Sequence, residues 1–218
     1  MDLYSGSGHL KSARTQPSQS REGKQQFGAF KMRITGGEFK GRALVPPRNT
    51  AVRPTSDKVR QAIFNLLEYA PALGDFSLPG IRVLDLFAGT GALGLEALSR
   101  GASFCLFIDE SPVSRALIRR NIEALRLTGA SKIWRRNAAQ LGQLDTVAPF
   151  GLAFLDPPYR QGLINPALSA MRAGDWLQQN AIVVSETGES EEWQPVEGYE
   201  ILDRRSYGDT AVRLLRLC

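Results

Sequence analysis

The stretch Val83-Leu84-Asp85-Leu86-Phe87-Ala88-Gly89-Thr90-Gly91-Ala92-Leu93-Gly94 changes texture twice within a few residues. An apolar run around one acid reads as a strand buried on both faces, the glycines read as a turn, and Ala92 to Gly94 begin a helix. Strand, glycine-rich turn and helix in this order open a βαβ unit. In such units ligands bind beyond the carboxyl end of the strand, and glycine lets them approach the main chain. A bare Gly-x-Gly also serves any tight turn that needs positive φ, so the surrounding chain has to decide what the turn holds.

Working outward toward the C-terminus, apolar runs predict strands near 81–87, 104–109, 131–135, 151–155, 181–186, 197–206 and 211–217. Helical periodicity falls between the first five, near 92–100, 112–127, 138–144 and 163–178, with Ser111 an N-cap and Pro112 at the first helical position. Repeated strand–helix units imply an α/β fold: a mostly parallel sheet, Rossmann-like, with helices on both faces. No helix separates the last two strands, so they should form an antiparallel pair.

Toward the N-terminus, residues 33–45 read as a small β-hairpin with Gly36-Gly37 and Gly41 for turns. A proline-containing linker follows. Thr55-Ser56-Asp57 then offer N-cap groups for a helix that carries Val59, Ile63, Leu66 and Leu67 at helical spacing to about Tyr69. Residues 1–31 are rich in Ser, Gln and Gly without apolar periodicity, and are expected to be a disordered basic tail. The domain expected is therefore 32–218, with 32–70 facing the substrate and 80–218 as the catalytic core.

The net charge of +5 is unevenly spread. Residues 1–31 hold five Lys/Arg against two acids and residues 32–60 hold seven against two, which leaves a mildly acidic body. A basic approach surface of this kind fits a polyanion. The two cysteines, Cys105 and Cys218, offer neither a disulfide framework nor a zinc spacing, and the one histidine, His9, lies in the polar tail. Proton chemistry must then rest on carboxylates or water, with no metal. A cytoplasmic monomer without a membrane span is expected.

Two acids suggest what the glycine turn binds. Asp85 closes the first strand, where it would repel a pyrophosphate but attract the cationic amino end of a methionine. Asp109 closes the second, 18 residues after Gly91, where a carboxylate can accept hydrogen bonds from both ribose hydroxyls. S-adenosyl-L-methionine fits both. Asn137-Ala138, after the third strand, is placed to meet the adenine, although Asn137 serves equally well as a helix N-cap.

Phe154-Leu155-Asp156-Pro157-Pro158-Tyr159 ends the fourth strand, next to the first in a doubly wound sheet. An amino group conjugated to a base ring is a poor nucleophile. Asp156 and the Pro157 carbonyl can each accept one of its hydrogens, which aims the nitrogen lone pair at a methyl donor. Pro157 and Pro158 stiffen the loop, and Tyr159 offers a face on which an unpaired or flipped base can stack. This makes the chain a candidate amino-methyltransferase. DNA adenine, another RNA site, a small molecule and a non-catalytic RNA-binding assembly factor are the competing readings.

Met32-Arg33-Ile34-Thr35-Gly36-Gly37 with Lys40-Gly41-Arg42, and Arg53-Pro54-Thr55-Ser56-Asp57-Lys58-Val59-Arg60, are more specific than either motif above. With them, the chain from Met32 onward resembles the RsmD family of bacterial ribosomal RNA methyltransferases. The resemblance implies a seven-stranded methyltransferase fold. It also implies transfer of a methyl group to the N2 amino group of guanine 966 in 16S rRNA, naked or in an assembling small ribosomal subunit. It places Asp85, Phe87, Gly89, Gly91, Asp109, Asn137 and Ala138 around the cofactor. It sets the 53–60 segment, Thr55 included, beside the active site, with Arg33, Lys40, Arg42, Arg53, Lys58 and Arg60 on RNA phosphates.

Overall fold

The structure, a computed structural model, describes residues 32–47, 56–191 and 193–218. The expected 1–31 tail, and Arg53 and Thr55, lie outside the described residues.

Strands β1 (Met32–Arg33) and β2 (Ala43–Leu44) pair antiparallel, as the hairpin reading predicts. Helix α1 (Asp57–Tyr69) starts where its cap allows. The Ser56 hydroxyl accepts from the Val59 N–H at 3.2 Å, and Asp57 sits in the first turn, where the helix dipole favours an acid. Its buried face is Arg60, Ile63, Phe64 and Leu67, a spacing of three and four residues.

Seven strands form the main sheet: β3 (Arg82–Leu86), β4 (Phe104–Ile108), β5 (Ser131–Trp134), β6 (Phe150–Leu155), β7 (Leu177–Gly188), β8 (Tyr199–Tyr207) and β9 (Thr210–Leu217). Their order is β5-β4-β3-β6-β7-β9-β8. The first five in sequence run parallel, and β9 lies antiparallel between β7 and β8. The chain therefore reverses its direction of travel beside β3, and β3 and β6 become neighbours with a crevice above their carboxyl ends.

Alternation along each strand sends successive side chains to opposite faces. Val83, Phe107, Phe154 and Val184 pack with α1, α2 (Ala92–Ser99) and α3 (Pro112–Leu125). Leu84, Leu86, Leu106, Leu155 and Val183 pack with α4 (Ile164–Ala173) and Trp176. Every residue of α2 is buried, and Gly94 has no room to be anything else: a Cβ there would lie 2.4 Å from the Phe107 ring. Helix α1 reaches the same face, where Phe64 meets Phe154 at 5.7 Å between ring centroids.

Two expected helices differ. Residues 138–144 form no helix, because their backbone groups are taken by other partners, two of them distant in sequence. The Gly142 carbonyl accepts from the Trp176 indole at 2.7 Å, the Leu141 carbonyl accepts from Arg136 at 2.5 Å, and the Leu144 N–H donates to Gly174 at 2.9 Å. Helix α4 stops at Ala173, short of the expected 178, because Gly174 caps it, Asp175 turns to φ 55°, and β7 starts at Leu177.

Candidate active site

The residues predicted to hold a cofactor gather at the carboxyl ends of β3, β4 and β5. Phe87, Gly89 and Gly91 all have positive φ (57°, 54° and 76°), so the chain leaves β3 through a tightly wound turn. For Phe87, a bulky residue, this conformation costs of order 1–3 kcal/mol, a strain typical of ligand-holding turns.

Asp109 stitches the turn to β4. Its Oδ2 accepts from the Gly89 N–H and its Oδ1 from the Ser111 N–H, both at 2.8 Å. Each oxygen keeps a second lone pair for further donors. Asp85 is 2% exposed, and its Oδ2 accepts from the Gly94 N–H at 3.0 Å, which fixes the start of α2. Burial pushes its carboxyl well above the ordinary range despite that bond, and the charges of Asp156 and Asp109 push it further. Three carboxylates from three strands thus share one field, and a cation arriving among them would relieve it. An ammonium and a sulfonium on one ligand fit this donor set.

Asn137 does not cap a helix. Its side-chain oxygen accepts from the Ala139 N–H at 2.8 Å and its carbonyl from Gln140 at 3.0 Å, making a turn that holds Ala138 buried.

Asp156, Pro157, Pro158 and Tyr159 follow β6, directly beside the glycine turn that follows β3. Pro157 is buried, Pro158 exposed, and Asp156 and Tyr159 are half-buried. The Tyr159 hydroxyl donates to Glu186 Oε1 at 2.8 Å and lies 3.0 Å from the Thr210 hydroxyl, which ties the loop to β7 and β9. Burial, then the Glu186 charge, raises this phenol far above its usual range, so it stays a neutral donor. The Arg160 N–H donates to Glu191 Oε2 at 3.2 Å and anchors the loop's far end.

Of the cations expected on RNA, Arg33, Lys40, Arg42 and Lys58 are exposed; Arg42 stacks on Phe39, and Arg33 lies 3.6 Å from Asp57. Arg60 corrects its expectation. It is 0% exposed, with Nε 3.2 Å from Glu96 Oε2, one Nη 2.8 Å from Asp57, and a bond to the Arg33 carbonyl. Its guanidinium faces the protein interior and holds α1, β1 and α2 together, so it presents no cation to a phosphate.

Several residues that shape the site escaped the sequence reading. Glu96 also accepts from the Thr35 N–H at 2.8 Å and the Thr35 hydroxyl at 2.7 Å, docking the N-terminal hairpin on α2. A lone acid in the apolar helix Ala-Leu-Gly-Leu-Glu-Ala-Leu-Ser was a readable signal. Asn121, on the apolar face of α3, was another. Glu186 and Thr210 left none, since only the sheet order brings them to Tyr159.

A strand order of this kind, with a glycine turn after the first strand and an Asp-Pro-Pro-Tyr loop after the fourth, defines a methyltransferase of the Rossmann-like, S-adenosylmethionine-dependent fold. A family model described as "Conserved hypothetical protein 95" matches residues 32–216. The chain is 38% identical over 162 residues to Ribosomal RNA small subunit methyltransferase D of Escherichia coli K12, covering 73% of this chain and 76% of that protein. It is 33% identical to the putative rRNA methyltransferase YlbH of Bacillus subtilis, covering 85% of this chain and 98% of the relative. Among solved structures, the putative methyltransferase yhhF from Escherichia coli superposes with a TM-score of 0.71 at 30% identity, covering 86% of this chain and 98% of that one. The chain belongs to this family, the RsmD family of methyltransferases.

Proposed function

We propose that the protein transfers a methyl group from S-adenosylmethionine to the exocyclic N2 amino group of a guanine in 16S ribosomal RNA. The observation that carries the reading is the placement of Asp156-Pro157-Pro158-Tyr159 at the end of β6, next to the glycine turn of β3. The relatives named as ribosomal RNA methyltransferases support the RNA as substrate.

In this reading Asp85, Asp109 and the turn Phe87–Gly91 hold the cofactor, with Asn137 and Ala138 beside its base. When bound, the cofactor supplies a methyl group made electrophilic by its sulfonium. The chain's own part is to prepare the nucleophile. Asp156 accepts one hydrogen of the target amine and the Pro157 carbonyl the other, so the nitrogen lone pair turns out of conjugation. The amine would take the cofactor's methyl group while the sulfur kept the bonding pair, and it would shed one proton to the Asp156 carboxylate and thence to water. Tyr159, held by Glu186 and Thr210, carries the stacked base, a contact worth about 1–3 kcal/mol. Arg33, Lys40, Arg42 and Lys58 meet the phosphates around it.

The test is transfer of labelled methyl to small-subunit particles, or to 16S rRNA, from a strain that lacks the enzyme. Wild-type protein should label at least one of them. Asp156→Ala should lose about a hundredfold or more in kcat while cofactor affinity stays within about twofold. No labelling by wild-type protein that binds the cofactor would contradict the RNA reading, and parallel loss of cofactor binding in Asp156→Ala would make Asp156 structural.

A further inference from the structure

Helix α3 buries Leu117, Ile118, Ile122 and Leu125, and on the same face it buries one amide, Asn121, at 0% exposure. An unpartnered amide there would cost about 1–3 kcal/mol. Asn121 avoids that cost by bonding in two directions. Its Oδ1 accepts from the Val45 N–H at 2.7 Å, and its Nδ2 donates to the Thr90 carbonyl at 3.0 Å.

These two partners belong to different working parts. Thr90 stands between Gly89 and Gly91 in the cofactor turn. Val45 follows β2 and leads through Pro46-Pro47 toward the 53–60 segment. The amide is planar, so its oxygen and nitrogen cannot move independently, and a shift of the Thr90 carbonyl must tilt the group that holds Val45. Helix α3 has little slack to absorb such a shift. It touches the turn one residue on, where a Cβ on Gly91 would lie 3.2 Å from Ile118. Further links between hairpin and body among the described residues run through Arg60 on α1 and through Glu96, Ser99 and Arg100 at the far end of α2, away from the turn.

We propose that Asn121 is a positioning residue that couples cofactor occupancy of the glycine turn to the seating of the N-terminal segment on RNA; this rests on the RNA-methyltransferase reading above. Coupling of this kind is reciprocal: RNA tightens the cofactor by the factor by which the cofactor tightens RNA. Transmission through one hydrogen bond sets the expected factor at about fivefold.

The experiment measures the calorimetric affinity of S-adenosylhomocysteine for the full chain, with and without saturating unmodified small-subunit particles. In wild-type protein the particles should tighten binding about fivefold. Asn121→Leu, which removes both bonds, should bring the ratio near one. Val45→Pro should do the same by deleting only the N–H donor, at a residue 37% exposed and outside the core, so it carries the test even where Asn121→Leu folds poorly. With Val45→Pro, affinity without particles should stay within about twofold of wild type. A merely structural Asn121 would lower the melting temperature and leave the ratio intact, which overturns the coupling. A wild-type ratio of one, in protein that does methylate the particles, overturns the coupling and leaves the RNA reading standing. Wild-type protein that neither binds nor methylates particles or RNA overturns both.

Discussion

Glu96→Ala should be among the most damaging single changes outside the catalytic loop. Glu96 is 0% exposed and its two oxygens accept from Arg60, Arg100 and both donors of Thr35, at 2.7 to 3.2 Å. The substitution removes the fully buried Arg60's ion pair with Glu96 and keeps its pair with Asp57, which is itself 30% exposed. It also strips the Thr35 N–H of its acceptor. Breaking a buried pair by removing one partner costs about 3–5 kcal/mol. Set against a total stability of about 5–15 kcal/mol, that is a large share. At about 2–4 °C per kcal/mol for a domain of this size, the melting temperature should fall by about 6–20 °C. The assay is urea or thermal unfolding of Glu96→Ala, Arg60→Met and the double variant Glu96→Ala/Arg60→Met. Because the double variant leaves no buried charge of the pair uncompensated, it should be more stable than the sum of the two single losses predicts, by at least about 2 kcal/mol. A loss below about 1 kcal/mol for Glu96→Ala, or strict additivity in the double variant, would refute the claim that this pair bolts the hairpin to α2.

Asp85→Asn should stabilise the cofactor-free protein at neutral pH. The folded state raises the Asp85 carboxyl above its ordinary 3.8, so its favourable contribution is present below that pH and lost as pH rises toward neutrality. The gain measured by unfolding should therefore shrink on acidification, while cofactor affinity at neutral pH drops about tenfold or more; a gain that does not vary with pH would refute the assignment. Gly37→Ala puts a Cβ 1.9 Å from the Ser99 carbonyl in a backbone with φ of 73°, and should cost at least about 2 kcal/mol by chemical denaturation. Arg33→Glu with Arg42→Glu should weaken RNA binding and flatten its dependence on salt, as filter binding across a salt series would record, and an unchanged slope would remove both from the phosphate contacts.

How far the sequence could be read depended on how local the cause was. Strand ends are local: apolar runs that stop at Asp109 and Asp156, and the one that carries Asp85 next to its last strand residue, mark the carboxyl edge of a parallel sheet, and the three acids do converge there. The antiparallel β8–β9 pair was legible from the missing helix between them. Residues 138–144 were misread because Ala138, Leu141 and Leu144 imitate a helical stripe, while the bonds that decide their path come from Trp176 and Gly174, thirty or more residues on. Arg60 was misread for the same reason. In sequence it is one more cation in a basic segment; in space Glu96 claims it. The hold on Tyr159 by Glu186 and Thr210 depends on β9 lying between β7 and β8, an order that no local pattern encodes.

The central claim is the identity of the acceptor atom. It is tested most directly by digesting 16S rRNA to nucleosides and fragments after reaction with the purified protein, then locating the added methyl by mass spectrometry. The account predicts one new N2-methylguanosine at a single site, absent with Asp156→Ala. A methyl found instead on adenine N6, on a ribose or on a ring carbon would contradict it.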